Sequence, residues 1–161
     1  MWDDNYSKQM KSSIVSIVLA VFNSEQFLSE AIKSILNQTF QKFEFIIIDD
    51  GSTDNSLQII EKYSKIDRRI KLIKNLKNLG LTKSLNIGLA KATGDYIARM
   101  DADDIALPIR IENQFRYLEN NPDIFLIGSR FEHINKIGNI VPDFNVFFED
   151  VSSRLPYTNC I

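Results

Sequence analysis

The sequence predicts an α/β fold, a mainly parallel central sheet with helices on both faces. Short β-branched runs alternate with stretches whose apolar residues recur at helical spacing. Strands and helices alternating in this way imply successive βαβ units, which build parallel sheets covered on both sides. Several of the apolar runs also end abruptly in polar or acidic residues, and in such sheets ligands sit beyond the carboxyl ends of the strands.

The first strand is Val15-Ser16-Ile17-Val18-Leu19. Phe27, Leu28, Ala31, Ile32, Ile35 and Leu36 follow at helical spacing, with Ser24 where an N-cap belongs. Phe43 to Ile48 forms the second strand and runs into Asp49-Asp50-Gly51-Ser52-Thr53-Asp54, a cluster of turn and cap residues. Leu57, Ile60 and Tyr63 mark a second helix, and Ile70 to Ile73 a third strand. Asn78-Leu79-Gly80 then precedes a helix over about 82–90, which Gly94 stops. Tyr96 to Met100 is a fourth strand leading into Asp101-Ala102-Asp103-Asp104. Pro108 suits the first turn of a helix bearing Ile111, Phe115 and Leu118, and Ile124 to Gly128 is expected to add a fifth strand.

At 161 residues the chain holds one domain with a real core, and residues 13–161 read as that unit after a loose leader over 1–12. Apolar residues at 44% and charged residues at 25% argue for a folded chain rather than a disordered one. A net charge of -2 gives no basic excess for a phosphate backbone, so nucleic acid is not expected as a partner. The single cysteine, Cys160, permits no internal disulfide and is compatible with a reducing cytoplasm. The start of the chain lacks the order of a signal peptide, and no apolar stretch approaches the ~20 residues of a membrane span.

Polar residues are therefore expected to converge at one edge: Phe22-Asn23 after the first strand, Asp49-Asp50 after the second, Asn78 after the third and the acidic group 101–104 after the fourth. Carboxylates repel one another and raise one another's pKa unless a cation sits among them. Asp101 and Asp103 point to one side if the chain stays extended there, and two hard oxygen ligands suit Mn²⁺ or Mg²⁺ with a substrate phosphate completing the shell. The plain alternative is a solvated loop capping the next helix. The Asp50 carboxylate is a candidate acceptor for a nucleobase ring N–H, against an alternative role in turn and cap chemistry, which is favoured for Thr53 and Asp54. Phe22 is a candidate to pack on a base face, although residue type favours a core aromatic. Asn78 and Asn86 flank a helix start whose N–H groups favour anionic phosphate, with capping as the alternative. His133, the basic run from Lys62 to Lys77 and Cys160 read as surface or inert features.

In order along the chain, Val15 to Asn23, Ile35-Leu36-Asn37-Gln38-Thr39-Phe40, Ile48 to Asp54, Asn78-Leu79-Gly80 and Gly94 to Asp104 closely resemble the family 2 glycosyltransferases. The resemblance runs from about residue 13 to residue 130. It implies a Rossmann-like nucleotide-diphospho-sugar transferase fold and an inverting transfer. It further implies donor contacts from Ala20, Phe22, Asn23, Asp49, Asp50, Asn78, Gly80 and Asp101, with Asp101 and Asp103 on the metal. Mn²⁺ or Mg²⁺ is the expected cofactor, and a UDP-sugar the favoured donor.

Two departures matter. Phe22 stands where family members often carry Tyr, and Ser84-Leu85-Asn86 where they carry Ala-Arg-Asn, leaving Lys83 as a partial substitute for the arginine. No general base is nominated, because Asp143, Glu149 and Asp150 lack a convincing context. The resemblance thus implies a donor-binding domain shortened on its acceptor side, with a glycan, lipid-linked glycan or protein as acceptor. Peripheral attachment to the inner face of a membrane and pairing into a homodimer are compatible with it. The competing reading is a chain that binds nucleotide-sugar or a partner without turnover. A nucleotidyltransferase is disfavoured because Ala20-Val21-Phe22-Asn23 contains no glycine.

Overall fold

The computed structural model describes residues 14–135 and 137–141. The leader at 1–12, the acids Asp143, Glu149 and Asp150, and Cys160 lie outside the described residues. The chain divides into two compact units, 1–122 and 123–161, and this division falls inside the span 13–161 that the sequence reading treats as one domain.

In the first unit the elements alternate without exception: β1 (Val15–Val21), α1 (Leu28–Leu36), β2 (Phe43–Asp49), α2 (Ser56–Ile66), β3 (Ile70–Lys74), α3 (Leu81–Leu89), β4 (Tyr96–Met100) and α4 (Arg110–Asn120). The four strands form one sheet in the order β3-β2-β1-β4, and each neighbouring pair is parallel. Val15 pairs with Phe43 on one side and Tyr96 on the other, so β1 lies inside the sheet. Every residue of β2 is buried. A strand covered on both faces is largely apolar, which is why Phe43 to Ile48 reads as a near-continuous apolar run broken only by Glu44.

Side-chain alternation gives the two faces unequal cores. Val15, Ile17, Leu19 and Val21 of β1, with Phe45 and Ile47, pack against α1 and against Ile60, Ile111 and Phe115. Val18, Ile46 and Ile48 form the smaller core on the other face, with Leu85 of α3 against them. Gly88 lets α3 approach: a Cβ there lies 2.6 Å from Val18 Cγ1 and 2.7 Å from Ile48 Cδ1. Phe115 also stacks on Phe40 at 4.6 Å and meets Tyr96 edge-on at 5.4 Å.

A buried carboxylate ties the amino ends of the strands together. Glu44 accepts hydrogen bonds from the hydroxyl of Ser16, from Lys71 and from both the N–H and hydroxyl of Thr93. Burial pushes the Glu44 carboxyl up, but the Lys71, Ser16 and Thr93 donors overturn that and hold it down at about 2. Lys71 and Lys74 on the edge strand β3 are exposed, which discourages pairing with another chain.

Two expectations are corrected. Ser24 does not cap α1 with its side chain: its carbonyl accepts Phe27 N and Leu28 N, and its hydroxyl donates to Phe22 O. The turn over 25–27 sets the helix start at Leu28, too far along for a Ser24 hydroxyl cap. No strand forms at 124–128, where Phe125 is 93% exposed; an apolar run without a hydrogen-bonding neighbour has nothing to make it a strand. Among the described residues of the second unit, taken by itself, the chain is irregular apart from one antiparallel bridge between Ile134 and Ile140, with His133 exposed beside it. Among the described residues no helix is long and apolar enough to cross a membrane.

Candidate functional site

Because all four strands run in parallel, their carboxyl ends meet at one edge, and the polar clusters follow β1, β2, β3 and β4 there. After β1, Phe22 is 45% exposed, not the core aromatic its residue type favours. Asn23 takes a left-handed φ of 49°, a conformation asparagine tolerates. Its side-chain Oδ1 accepts Thr53 N at 2.8 Å, and Ser52 Oγ accepts Asn23 N at 3.2 Å. Asp54 accepts Ser56 N at 2.9 Å and Glu25 N at 3.0 Å, so it both caps α2 and links the two loops. The loops after β1 and β2 are thus locked to each other. Ala20, half-buried in β1, sits opposite Ile48.

After β2 the two acids differ in their partners. Asp50 is 2% exposed and accepts Asn75 Nδ2 at 2.8 Å, Leu79 N at 2.8 Å and Gly80 N at 2.9 Å. Burial pushes its carboxyl up, yet the Leu79, Asn75, Ser84 and Gly80 donors hold it below the usual carboxylate range. The carboxylate expected to meet a base ring N–H is therefore engaged in gripping the loop before α3. Asp49 is equally buried, but its Oδ1 has no hydrogen-bond partner. Gly51, at φ 71°, completes the close approach: a Cβ there lies 2.7 Å from the Lys77 carbonyl carbon. Gly80, at φ 91°, is the N-cap residue just before α3. Asn78 and Lys83 are exposed beside this start.

After β4, Asp101 to Asp104 form a turn closed by Asp104 N donating to Asp101 O at 3.3 Å. The extended chain expected to align Asp101 with Asp103 is not present; buried Ala102 anchors the turn instead. Arg99 Nη2 reaches both Asp101 oxygens, at 2.9 and 3.0 Å. Arg110 comes from α4 and donates to Arg99 O at 2.7 Å and Met100 Sδ at 3.2 Å. The segment after the turn is held by α1 and the residues just after it. Ser34 Oγ accepts Ala106 N, and Pro108 O accepts Thr39 N. Gln38, 1% exposed, donates to Leu107 O at 2.8 Å and accepts Ile111 N at 3.0 Å.

The three carboxylates are close enough to feel one another. Burial first, then the charges of Asp101 and Asp103, push the Asp104 carboxyl up, against opposition from Arg110 and Arg99. Among the described residues no group of three or more His, Cys, Asp or Glu side chains is arranged to hold a metal ion. Crowded hard oxygens short of a full cage suit a cation such as Mn²⁺ or Mg²⁺, which takes one or two carboxylates and fills its shell with phosphate oxygens and water. A cavity of about 460 Å³ lined by Ile14, Phe43, Glu44, Lys71 and Thr93 lies at the amino ends of the strands, away from these acids.

Sequence reasoning missed Asn75, Gln38 and the two arginines. Arg99 and Arg110 were findable as the basic residues flanking an acidic cluster. Asn75 and Gln38 act through contacts distant in sequence, and nothing local announces them.

A profile described as glycosyl transferase family 2 matches residues 16–159. An uncharacterized glycosyltransferase of Haemophilus influenzae is 51% identical over 75% of this chain and 38% of its own length. TarS of S. aureus, residues 1–349 in complex with UDP, superposes with a TM-score of 0.63 at 30% identity, over 67% of this chain and 32% of that one. The mannosyltransferase PcManGT of Pyrobaculum calidifontis, in complex with GDP-Man and Mn²⁺, is alike in fold, with a TM-score of 0.57 at 22% identity over 65% of this chain and 31% of that one. The chain thus spans less than half the length of each of these proteins. Its α/β architecture is the Rossmann-like fold of nucleotide-sugar transferases. With the profile covering nearly all of it and the strand-end residues in family order, the chain belongs to glycosyl transferase family 2.

Proposed function

We propose that this chain supplies the donor half of a glycosyltransferase that moves a sugar from a nucleoside diphosphate, UDP being favoured, to a glycan, lipid-linked or protein acceptor with inversion. The observation that carries this is the acidic turn 101–104, braced by Arg99 and Arg110, at the strand edge where Phe22 is exposed. Phe22 offers its ring to the base. Asp50 shapes the base pocket from behind by fixing residues 75–80, and Asp49 is the acceptor there with an unbonded oxygen. Asn23 fixes the β1 loop against the β2 loop, and the exposed Asn78 and Lys83, with the partly buried Gly80, border the diphosphate at the start of α3.

Asp101 and Asp103 are the residues to hold Mn²⁺ or Mg²⁺. When bound, the cation stabilises charge developing on the departing nucleoside diphosphate. The chain's own part is to gather the carboxylates and keep them apart from solvent-driven rearrangement through Arg110, Ser34, Gln38 and Thr39. The single cysteine, which permits no internal disulfide, is consistent with work at a reducing, cytoplasmic face.

The test is a thermal-melt series with Mn²⁺ and, in turn, UDP, GDP, UMP and ATP. Preferential binding to the folded chain raises its Tm with ligand concentration. UDP is expected to give the largest shift, abolished by EDTA. An equal or larger shift with ATP, or a UDP shift indifferent to EDTA, contradicts the proposal.

A further inference from the structure

Of the two arginines at the acidic turn, Arg99 has the less engaged guanidinium. Arg110 is engaged through all three nitrogens, with Gln114, Met100 and the Arg99 carbonyl. Arg99 bonds among the described residues only through Nη2, to Asp101, while its Nε is buried without a hydrogen-bond partner. The Arg99 side chain as a whole remains about one-third open to solvent, at 32%. Arg99 pairs with Val18 across the β1–β4 ladder, and alternation puts both side chains on one face of the sheet. Val18 packs there with Ile46, Ile48 and Leu85, so this is the α3 face. Asp50 pins the start of α3 on the same side, at Gly80 N.

An arginine paired to a carboxylate that is itself wanted by a cation is a stored charge. We propose that Arg99 is a diphosphate-binding residue, which exchanges its Asp101 partner for a phosphate oxygen when the nucleoside diphosphate and cation bind. Charge balance favours the exchange: a cation drawn to Asp101 weakens the Arg99–Asp101 attraction, and the incoming diphosphate offers the planar guanidinium a pair of oxygens that it can bind bidentately. This inference rests on the donor site proposed above.

The experiment is calorimetric titration of UDP with Mn²⁺ present into the wild-type chain, Arg99→Met and Arg99→Lys, with Mn²⁺ binding alone followed by EPR on the same proteins. Arg99→Met is expected to weaken UDP roughly tenfold or more, as loss of a charge-assisted bond does, while Mn²⁺ alone binds as tightly as in wild type or more so. Arg99→Lys is expected to fall between, and carries the test if circular dichroism finds Arg99→Met unfolded. UDP affinity within about twofold of wild type in both variants overturns the proposal. So does a parallel loss of UDP and Mn²⁺, which makes Arg99 a support for Asp101 alone. Failure of the wild-type chain to bind either UDP or GDP with Mn²⁺ instead removes the donor site itself, and this inference with it.

Discussion

The side-chain carbonyl of Gln38 accepts the main-chain N–H of Ile111 at 3.0 Å, joining positions 73 residues apart. The same carboxamide donates to Leu107 O, so one buried side chain grips the chain on both sides of Pro108. Replacing it with leucine fills the space but strands the buried Ile111 N–H and removes the donor to the part-buried Leu107 carbonyl. Gln38→Leu is expected to lower stability by about 2–3 kcal/mol, read as a shift of the urea midpoint. A midpoint unchanged within error contradicts the clamp.

Gly51 is required by space as well as by conformation. Alanine there meets the Lys77 and Asn78 backbone at 2.7–2.8 Å with φ at 71°, where L residues are strained. Gly51→Ala is expected to cost about 2 kcal/mol or more and to displace the loop that Asp50 holds. A variant as stable as wild type by denaturant titration, with unaltered amide shifts at 75–80, counts against this packing.

Glu44 supplies an acid-labile share of the stability. Its folded pKa, about 2, lies below the unfolded value of 4.5. The contribution is therefore fully present above pH 4.5 and fades as pH falls toward 2. Allowing for the half-exposed Lys71, it amounts to about 2 kcal/mol. Asp50, shifted in the same direction, adds to the same acid limb. Glu44→Gln is expected to flatten the stability profile between pH 5 and pH 2, as measured by urea unfolding at a series of pH values. A mutant whose profile keeps the wild-type slope rules out Glu44 as a source.

All four parallel strands, their order along the chain and their shared edge were legible in the sequence, because continuous β-branched runs and helical spacing survive without tertiary help. The failed fifth strand at 124–128 shows the limit: apolar content cannot say whether a ladder partner exists. At the site, residue types located the acidic turn and the Asp49-Asp50 pair. They could not say that Asp50 is engaged by Leu79 and Gly80 while Asp49 Oδ1 is left alone, since that depends on how loops distant in sequence close on one another. Phe22 reversed its residue-type expectation for the same reason: the strand ends one residue before it, outside the core.

The central claim is that Asp103 and Asp101 hold a cation against a nucleoside diphosphate at the carboxyl end of β4. Calorimetric titration of UDP into the chain, with Mn²⁺ and again with EDTA, repeated on folded Asp103→Ala, tests it most directly. The account predicts Mn²⁺-dependent binding that falls on the order of a hundredfold in the variant, as loss of a metal ligand does. Binding of equal strength in Asp103→Ala, or equal binding with EDTA, contradicts it.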